Sequence, residues 1–157
     1  MKIDLHLGFT GTQKGMTEEQ REALEDFLDR YHARYREHFT GRCVLHHGDC
    51  IGADEEAHHL AMTIGWEVVV HPGYGKDGSP KRAYCDGDEV REPRPYLARN
   101  RDIVNECGVL VAAPHGEEQK RSGTWATVRA ARQSGKPVVL VRPDGTVEMS
   151  GEHRHDD

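Results

Sequence analysis

Short apolar runs alternate with amphipathic helical patterns along this chain, and the alternation repeats five times. The run that begins at Trp66 is continuous, which is typical of a strand buried on both faces of a sheet. Strands that alternate with helices indicate a doubly wound sheet with right-handed crossovers and helices on both faces. The predicted strands are Ile3 to Gly8, Cys43 to His46, Trp66 to Val70, Val109 to Ala113 and Pro137 to Val141.

The helical patterns lie between these runs. Thr17 and Gln20 have the spacing of a capping box, and apolar residues recur at helical spacing from Leu24 onwards. The other three predicted helices are Ala53 to Ile64, Tyr96 to Glu106 and Thr124 to Gln133.

The turn signal Asp144-Gly145 follows the last predicted strand, and a short edge strand is expected at Thr146 to Met149.

Together these elements predict one α/β domain over residues 1–157, with a mostly parallel sheet of five or more strands. Residues 72–95 contain four glycines and four prolines and are predicted to form no regular element. A loop of this length in a compact domain is usually a lid or a binding loop, and a disordered surface insertion is the alternative. The charged tail 151–157 is predicted to be flexible.

Composition narrows the classes of function. The net charge of -6 argues against a protein that binds mainly nucleic-acid backbone, so nucleic acid is not an expected partner. No apolar run approaches 18 residues and no signal-peptide pattern is visible, so we expect no membrane partner and a cytoplasmic location. The four cysteines form no C-x-x-C pair, and Cys43 and Cys107 are predicted to be small core residues.

Four short segments carry the candidate chemistry, and each lies near the end of a predicted strand or the start of a helix. Since ligands of open parallel sheets bind at the carboxyl ends of the strands, these segments are expected to converge on one pocket. Free N–H groups at helix starts favour an anion there, most often phosphate. The candidate ligand-binding residues are Gly8, Thr10, Gly11, Thr12, Gly48, Asp49, Gly52, Asp54, Arg99, Asn100, Ser122, Gly123 and Thr124.

The expected roles differ among these residues. Arg99, near a helix start, is expected to pair with phosphate, although a surface salt bridge is the alternative. Asp49 or Asp54 is expected to accept hydrogen bonds from a ribose, but Asp54 can instead simply offset a helix dipole. Ser122 or Thr124 is expected to cap the fourth helix, and Trp125 is expected to pack in the core rather than stack on a base.

Other chemistries find less support in the sequence. No G-x-G-x-x-G is present, and Gly73-Tyr74-Gly75-Lys76 lacks the remaining residues of a phosphate-binding P-loop. The eleven histidines form no H-E-x-x-H motif. In the adjacent pairs His46-His47 and His58-His59, only one member of each pair can face a given site. We therefore predict no metal site and no cofactor.

These segments together resemble the SLOG superfamily, the Rossmann-like proteins that include the Lonely Guy phosphoribohydrolases and the Smf/DprA group, and most closely its small DUF2493-like branch. The likeness covers roughly residues 3 to 142 and rests on four stretches. They are Gly8 to Thr12, the His-Gly-x-x-x-Gly-Ala-Asp stretch from His47 to Asp54, Arg99 to Val104, and Ser122 to Thr124.

The resemblance implies a pocket for a nucleotide or nucleotide-derived ligand. It also implies that the protein can form a homodimer. In the hydrolase branch an Arg and a Glu carry catalysis. Arg99 matches the first, while Thr127 occupies the place of the second, which leaves the acid/base group missing. If the protein is an enzyme, Arg99 with Asp54 or Glu118 are the candidate catalytic residues.

The function expected from the sequence is therefore the binding of a nucleotide-type or ADP-ribose-like phosphate ligand, for sensing or sequestration. A nucleotide N-glycosidase of the Lonely Guy type is the alternative. A DNA-processing accessory role, as in the Smf/DprA group, is disfavoured by the acidic charge.

Overall fold

The structure is a computed structural model that describes residues 2–76 and 82–150. The strands are β1 Leu5–Gly11, β2 Cys43–His47, β3 Glu67–Val70, β4 Gly73–Tyr74, β5 Glu89–Val90, β6 Arg94–Pro95, β7 Val109–Ala113, β8 Val138–Val141 and β9 Val147–Ser150. The helices are α1 Glu18–His38, α2 Ala53–Ile64, α3 Tyr96–Glu106 and α4 Gly123–Gln133. None of these described helices is long and apolar enough to cross a membrane.

Seven strands form one sheet in the order β5-β3-β2-β1-β7-β8-β9. All neighbours are parallel except β8 and β9, which pair antiparallel as a terminal hairpin. The chain leaves β1 towards β2 on one side and leaves β7 towards β8 on the other. The gap between the carboxyl ends of β1 and β7 is therefore the topological switch point of a Rossmann-like sheet, as the strand–helix alternation predicted.

The two faces of the sheet carry separate apolar cores. On one face, Leu24 and Leu28 of α1 and Ala57 of α2 pack against Leu7 and Phe9 of β1. The core on the opposite face is formed by α3, α4 and the side chains of β7 and β8 that point to that face. Its members include Ile103, Cys107, Leu110, Trp125, Val128 and Leu140. Burial of Cys43, Cys107 and Trp125 confirms the predicted core roles of these three residues.

The segment 72–95 differs from its prediction. Its described part contains three two-residue strands: β5 extends the main sheet beside β3, while β4 and β6 form a separate two-stranded sheet. The prediction of no regular element was therefore wrong for these residues. Residues 77–81 of this segment and the predicted flexible tail 151–157 lie outside the described residues.

Strand β1 also runs further than predicted, to Gly11, and this places Gly8 and Thr10 within a strand rather than a turn. A Cβ at Gly8 would lie 2.9 Å from Sγ of Cys107. Gly8 thus lets α3 approach the sheet closely, which is a packing requirement and not a ligand contact.

Candidate ligand-binding site

A cavity of about 560 Å³ opens at the switch point between β1 and β7. Its walls come from the segment after β1, from the first turns of α3, and from the loop between β7 and α4. Seven of the predicted ligand-binding residues line it, namely Gly11, Thr12, Arg99, Asn100, Ser122, Gly123 and Thr124. The first, third and fourth of the predicted segments therefore converge as expected.

The start of α4 lines this cavity and has two backbone donors without a partner in the described part of the chain. Ser122 is the N-cap, and its Oγ accepts a hydrogen bond from the N–H of Trp125 at 3.1 Å. The N–H groups of Gly123 and Thr124 precede the first intrahelical bond, and the described residues offer them no acceptor. A Cβ built at Gly123 meets nothing within 4 Å, so open space lies in front of this turn. The geometry suits an anion at the helix start.

Two cations stand at the mouth of the cavity. Lys14 and Arg121 are both exposed, and neither has a carboxylate within salt-bridge distance in residues 2–76 and 82–150. Glu117 also lines the mouth, with its side chain 96% exposed. Two unpaired cations beside open N–H groups make the electrostatic character of the mouth favourable to a negatively charged ligand.

The segment after β1 contributes less than the sequence predicted. The N–H of Thr12 donates to the carbonyl of Ala113 at 3.0 Å, and its carbonyl accepts from the N–H of Ala53 at 2.9 Å. Its Oγ1 accepts from the N–H of Lys14 at 3.1 Å. The backbone of Thr12 therefore joins β1 to β7 and to α2, and its hydroxyl group, with its hydrogen and one acceptor position, stays available to a ligand.

The second predicted segment reaches the cavity only through Cys50. Gly48, Asp49, Gly52 and Asp54 are not among the residues that line the cavity. Gly52 has a φ of +92°, and a Cβ there would lie 2.5 Å from the carbonyl oxygen of Gln13. Gly52 is thus needed for the close approach of this turn to the segment after β1.

Asp49 anchors the long loop. Its side chain is completely buried, and its Oδ2 accepts a hydrogen bond from Nε of Arg82 at 2.9 Å. Its Oδ1 accepts from the N–H of Cys85, also at 2.9 Å. Both oxygens of Asp49 bond within the protein and Asp49 does not line the cavity, so the structure does not bring this alternative to the predicted ribose position.

Asp54 lies in the first turn of α2 and is 4% exposed. Its Oδ2 accepts from the N–H of Cys50 at 3.2 Å, while its Oδ1 has no hydrogen-bond partner among the described residues. Burial raises the pKa of Asp54 to about 6, although the nearby charge of Arg99 opposes the shift. Burial also raises the pKa of the Cys50 thiol to about 12, so Cys50 borders the cavity as a neutral thiol.

Arg99 is 6% exposed and joins α3 to two backbone carbonyls. Its Nη1 donates to the carbonyls of Gly48 and His71, the latter at 2.9 Å, and its Nε donates to Oδ1 of Asn100 at 2.8 Å. Its Nη2 lies 3.8 Å from Sγ of Cys50. The side chain that the sequence assigned to phosphate is therefore largely buried and bonded within the protein, although Arg99 still lines part of the cavity.

The candidate catalytic carboxylates are not assembled here. Glu118 forms an exposed ion pair with Arg129 at 3.0 Å and does not line the cavity. Thr127 is 2% exposed, and its Oγ1 donates to the carbonyl of Gly123 at 3.0 Å. Within the described residues, the pairing of Arg99 with Asp54 or Glu118 across a ligand space is not formed.

A row of three histidines lies outside this cavity, under α3. Nδ1 of His6 is 2.9 Å from Nε2 of His46, whose Nδ1 is 2.9 Å from Nε2 of His71. Nδ1 of His46 is also 3.8 Å from Oε1 of Glu106. Burial lowers the pKa of His46 to about 3 and that of His71 to about 4, so both rings are neutral near pH 7. His46, His71 and Glu106 offer three ligand atoms within 4.8 Å of one another.

A second histidine contact lies on the other side of β2, where Nε2 of His47 is 3.0 Å from Nδ1 of His58. Nδ1 of His47 accepts from the N–H of Asp49 at 2.9 Å. His47, His58 and Cys85 again bring three ligand atoms within 4.8 Å. Sequence reasoning missed both groups, because their members come from separate strands, helices and loops and only the tertiary fold brings them together.

No protein-family model matches this chain, and no curated protein matches it. Membership of the SLOG superfamily therefore stays a prediction carried by the residues named for it above.

Proposed function

We propose that this protein binds a nucleotide or nucleotide-derived phosphate ligand, such as an ADP-ribose-like molecule, in the cavity at the switch point. The observation that carries this proposal is the open start of α4, where Gly123 and Thr124 line the cavity and residues 2–76 and 82–150 offer their N–H groups no acceptor. Lys14 and Arg121 add positive charge at its mouth. The cavity of about 560 Å³ falls in the size range of sites for small molecules and cofactors.

Binding is preferred to N-glycosidic hydrolysis on chemical grounds. Hydrolysis of that type needs a carboxylate beside the ribose, and Thr127 supplies none. Glu118 is directed at Arg129, and Asp54 is buried behind Cys50. We expect incubation with AMP to release no free base, as followed by chromatography, and steady release would favour the hydrolase alternative.

Ligand-induced stabilisation tests the proposal. A ligand that binds only the folded protein raises its melting temperature in a concentration-dependent way. We expect millimolar ADP-ribose or AMP to raise the melting temperature by more than the same concentration of ribose or adenine does. If neither nucleotide nor sulfate shifts the transition, the proposed function is wrong.

A further inference from the structure

We infer that His46, His71 and Glu106 form a binding site for a divalent first-row transition-metal ion, of which Zn²⁺ is the probe of choice. The three side chains come from the end of β2, the residue after β3, and the last turn of α3. Two imidazoles and one carboxylate are a ligand set that such ions take in proteins, with a further position left open.

The spacing of the ligand atoms fits this assignment. Nδ1 of His46 lies 2.9 Å from Nε2 of His71 and 3.8 Å from Oε1 of Glu106. Two ligands on a tetrahedral ion with bonds of about 2.1 Å are roughly 3.4 Å apart, which lies between these two separations. For these two pairs, side-chain shifts on the order of 0.5 Å admit an ion, and all three ligand atoms lie within 4.8 Å of one another.

The surroundings supply the outer contacts that metal ligands need. Nε2 of His46 faces Nδ1 of His6 at 2.9 Å, so a metal-bound His46 can donate its remaining N–H to His6. Arg91 donates to both oxygens of Glu106 at 2.8 Å and holds the carboxylate in place. No backbone donor among the described residues fixes the ring nitrogens of this row, so His71 is free to carry its proton on Nδ1.

In the group of His47, His58 and Cys85, by contrast, a backbone donor fixes the position of the ring proton. The N–H of Asp49 requires an unprotonated Nδ1 on His47, so the single proton of that neutral ring lies on Nε2. That proton is donated to Nδ1 of His58, at 3.0 Å. A metal on Nε2 of His47 would force a proton onto Nδ1, against the N–H of Asp49. The two groups thus have different chemistry despite similar spacing.

The open position of the proposed site faces a cavity of its own. This cavity measures about 430 Å³ and is lined by His71, Arg91, Arg94, Arg99, Asp102 and Glu106 among others. Three arginines around the space make an anion or a water the expected occupant of the remaining coordination position. The site is separate from the start of α4, so it neither requires nor excludes the proposed function.

Zinc titration of the 157-residue chain against a chromophoric chelator tests the inference. We expect one equivalent to bind, and we expect Glu106→Gln and His71→Gln to weaken binding more than tenfold. Glu89→Gln is the matched control, because Glu89 also pairs with Arg91 but lies outside the ligand set. His58→Gln controls for the second group. Circular dichroism checks that each variant is folded, and Glu106 is 35% exposed, which makes its variant the safest.

X-ray absorption at the zinc edge gives a readout independent of the variants. The proposed site predicts a first shell of nitrogen and oxygen only, with two imidazoles. A sulfur at about 2.3 Å would instead assign the ion to the group with Cys85 and overturn the inference. Absence of one-equivalent binding, or binding that survives both Glu106→Gln and His71→Gln, would also overturn it.

Discussion

The carboxylate of Asp49 is completely buried, and it is joined to Nε of Arg82 at 2.9 Å across 33 residues of sequence. The same carboxylate accepts the N–H of Cys85, and the carbonyl of Asp49 accepts the N–H of Ala83. Residue 49 has a φ of 60°, a left-handed conformation that aspartate tolerates better than most residues. One residue in the turn after β2 therefore holds residues 82–85 against the domain.

Replacement of Asp49 by Ala is expected to lower the free energy of unfolding by about 3 kcal/mol, because it leaves Arg82 and a buried N–H without their acceptor. Urea denaturation measures the change. The matched control is Glu118→Ala, which breaks an exposed pair and should cost less than about 1 kcal/mol. Equal effects of the two variants would contradict the anchoring role of Asp49.

We expect replacement of Arg99 to lower the stability of the fold, whether or not it also changes ligand affinity. The Lys side chain of Arg99→Lys ends one bond short of Nη1 and lacks Nε, so it weakens the bonds to the carbonyls of Gly48 and His71 and loses the bond to Asn100. We expect this to cost roughly 2 kcal/mol or more of unfolding free energy. Arg101→Lys, on the exposed side of the same helix, should change stability by less than about 0.5 kcal/mol. A fully stable Arg99→Lys protein that had lost only ligand affinity would return Arg99 to its predicted phosphate role.

Asp54 makes stability depend on pH in a defined direction. Its pKa is about 6 in the folded protein, against an ordinary value of 3.8, so the folded state holds its proton more tightly. The unfavourable contribution is absent below about pH 3.8 and complete above about pH 6, where it reaches roughly 3 kcal/mol. Arg99 and Cys50 are the groups that face this carboxyl.

Comparison of the parent with Asp54→Asn isolates this contribution. Between pH 4.5 and pH 7.5 the stability of the parent should fall relative to the variant, because only the parent must bury a charge at the higher pH. The histidines with lowered pKa values titrate in both proteins and cancel in the difference. A difference in stability that does not change over this pH interval would contradict the raised pKa of Asp54.

The sequence predicted the large elements because each has a local signal. Thr17 and Gln20 form the expected capping box, and the strand–helix alternation gave the correct sheet class. It did not predict β5, whose two residues show no periodicity. That strand lies beside β3, where Oδ2 of Asp88 accepts the N–H of Val68 at 2.8 Å. Such a contact joins residues 20 apart and has no sequence signature.

Residues of the candidate site were likewise predictable from the sequence only where they have a local signal. Ser122 and Gly123 were predictable because an N-cap residue before a helix is a local pattern, and the structure places both at the cavity. The roles of Asp49 and Arg99 depend on partners 33 and 51 residues away, which residue type and spacing do not reveal. A buried acid in a turn, or a buried arginine in the first turns of a helix, can stabilise the fold as readily as it can bind a ligand.

Gly123, the first residue of α4, allows the most direct test of phosphate binding at this helix start. Ser122 has φ -84° and ψ 127°, which is compatible with a following proline, and proline is favoured at the first helical position. Gly123→Pro therefore removes one N–H donor from the cavity with little cost to the helix. Gly123→Ala keeps the donor and is the matched control, since its Cβ enters open space.

Calorimetric titration of the parent and both variants with ADP-ribose measures the contribution of this donor. We predict that Gly123→Ala retains the affinity of the parent within about threefold, while Gly123→Pro loses at least about tenfold, the scale of one hydrogen bond to a charged group. Unfolding curves of the two variants should be similar. Equal affinity of Gly123→Pro and the parent would contradict the claim that the start of α4 binds the phosphate.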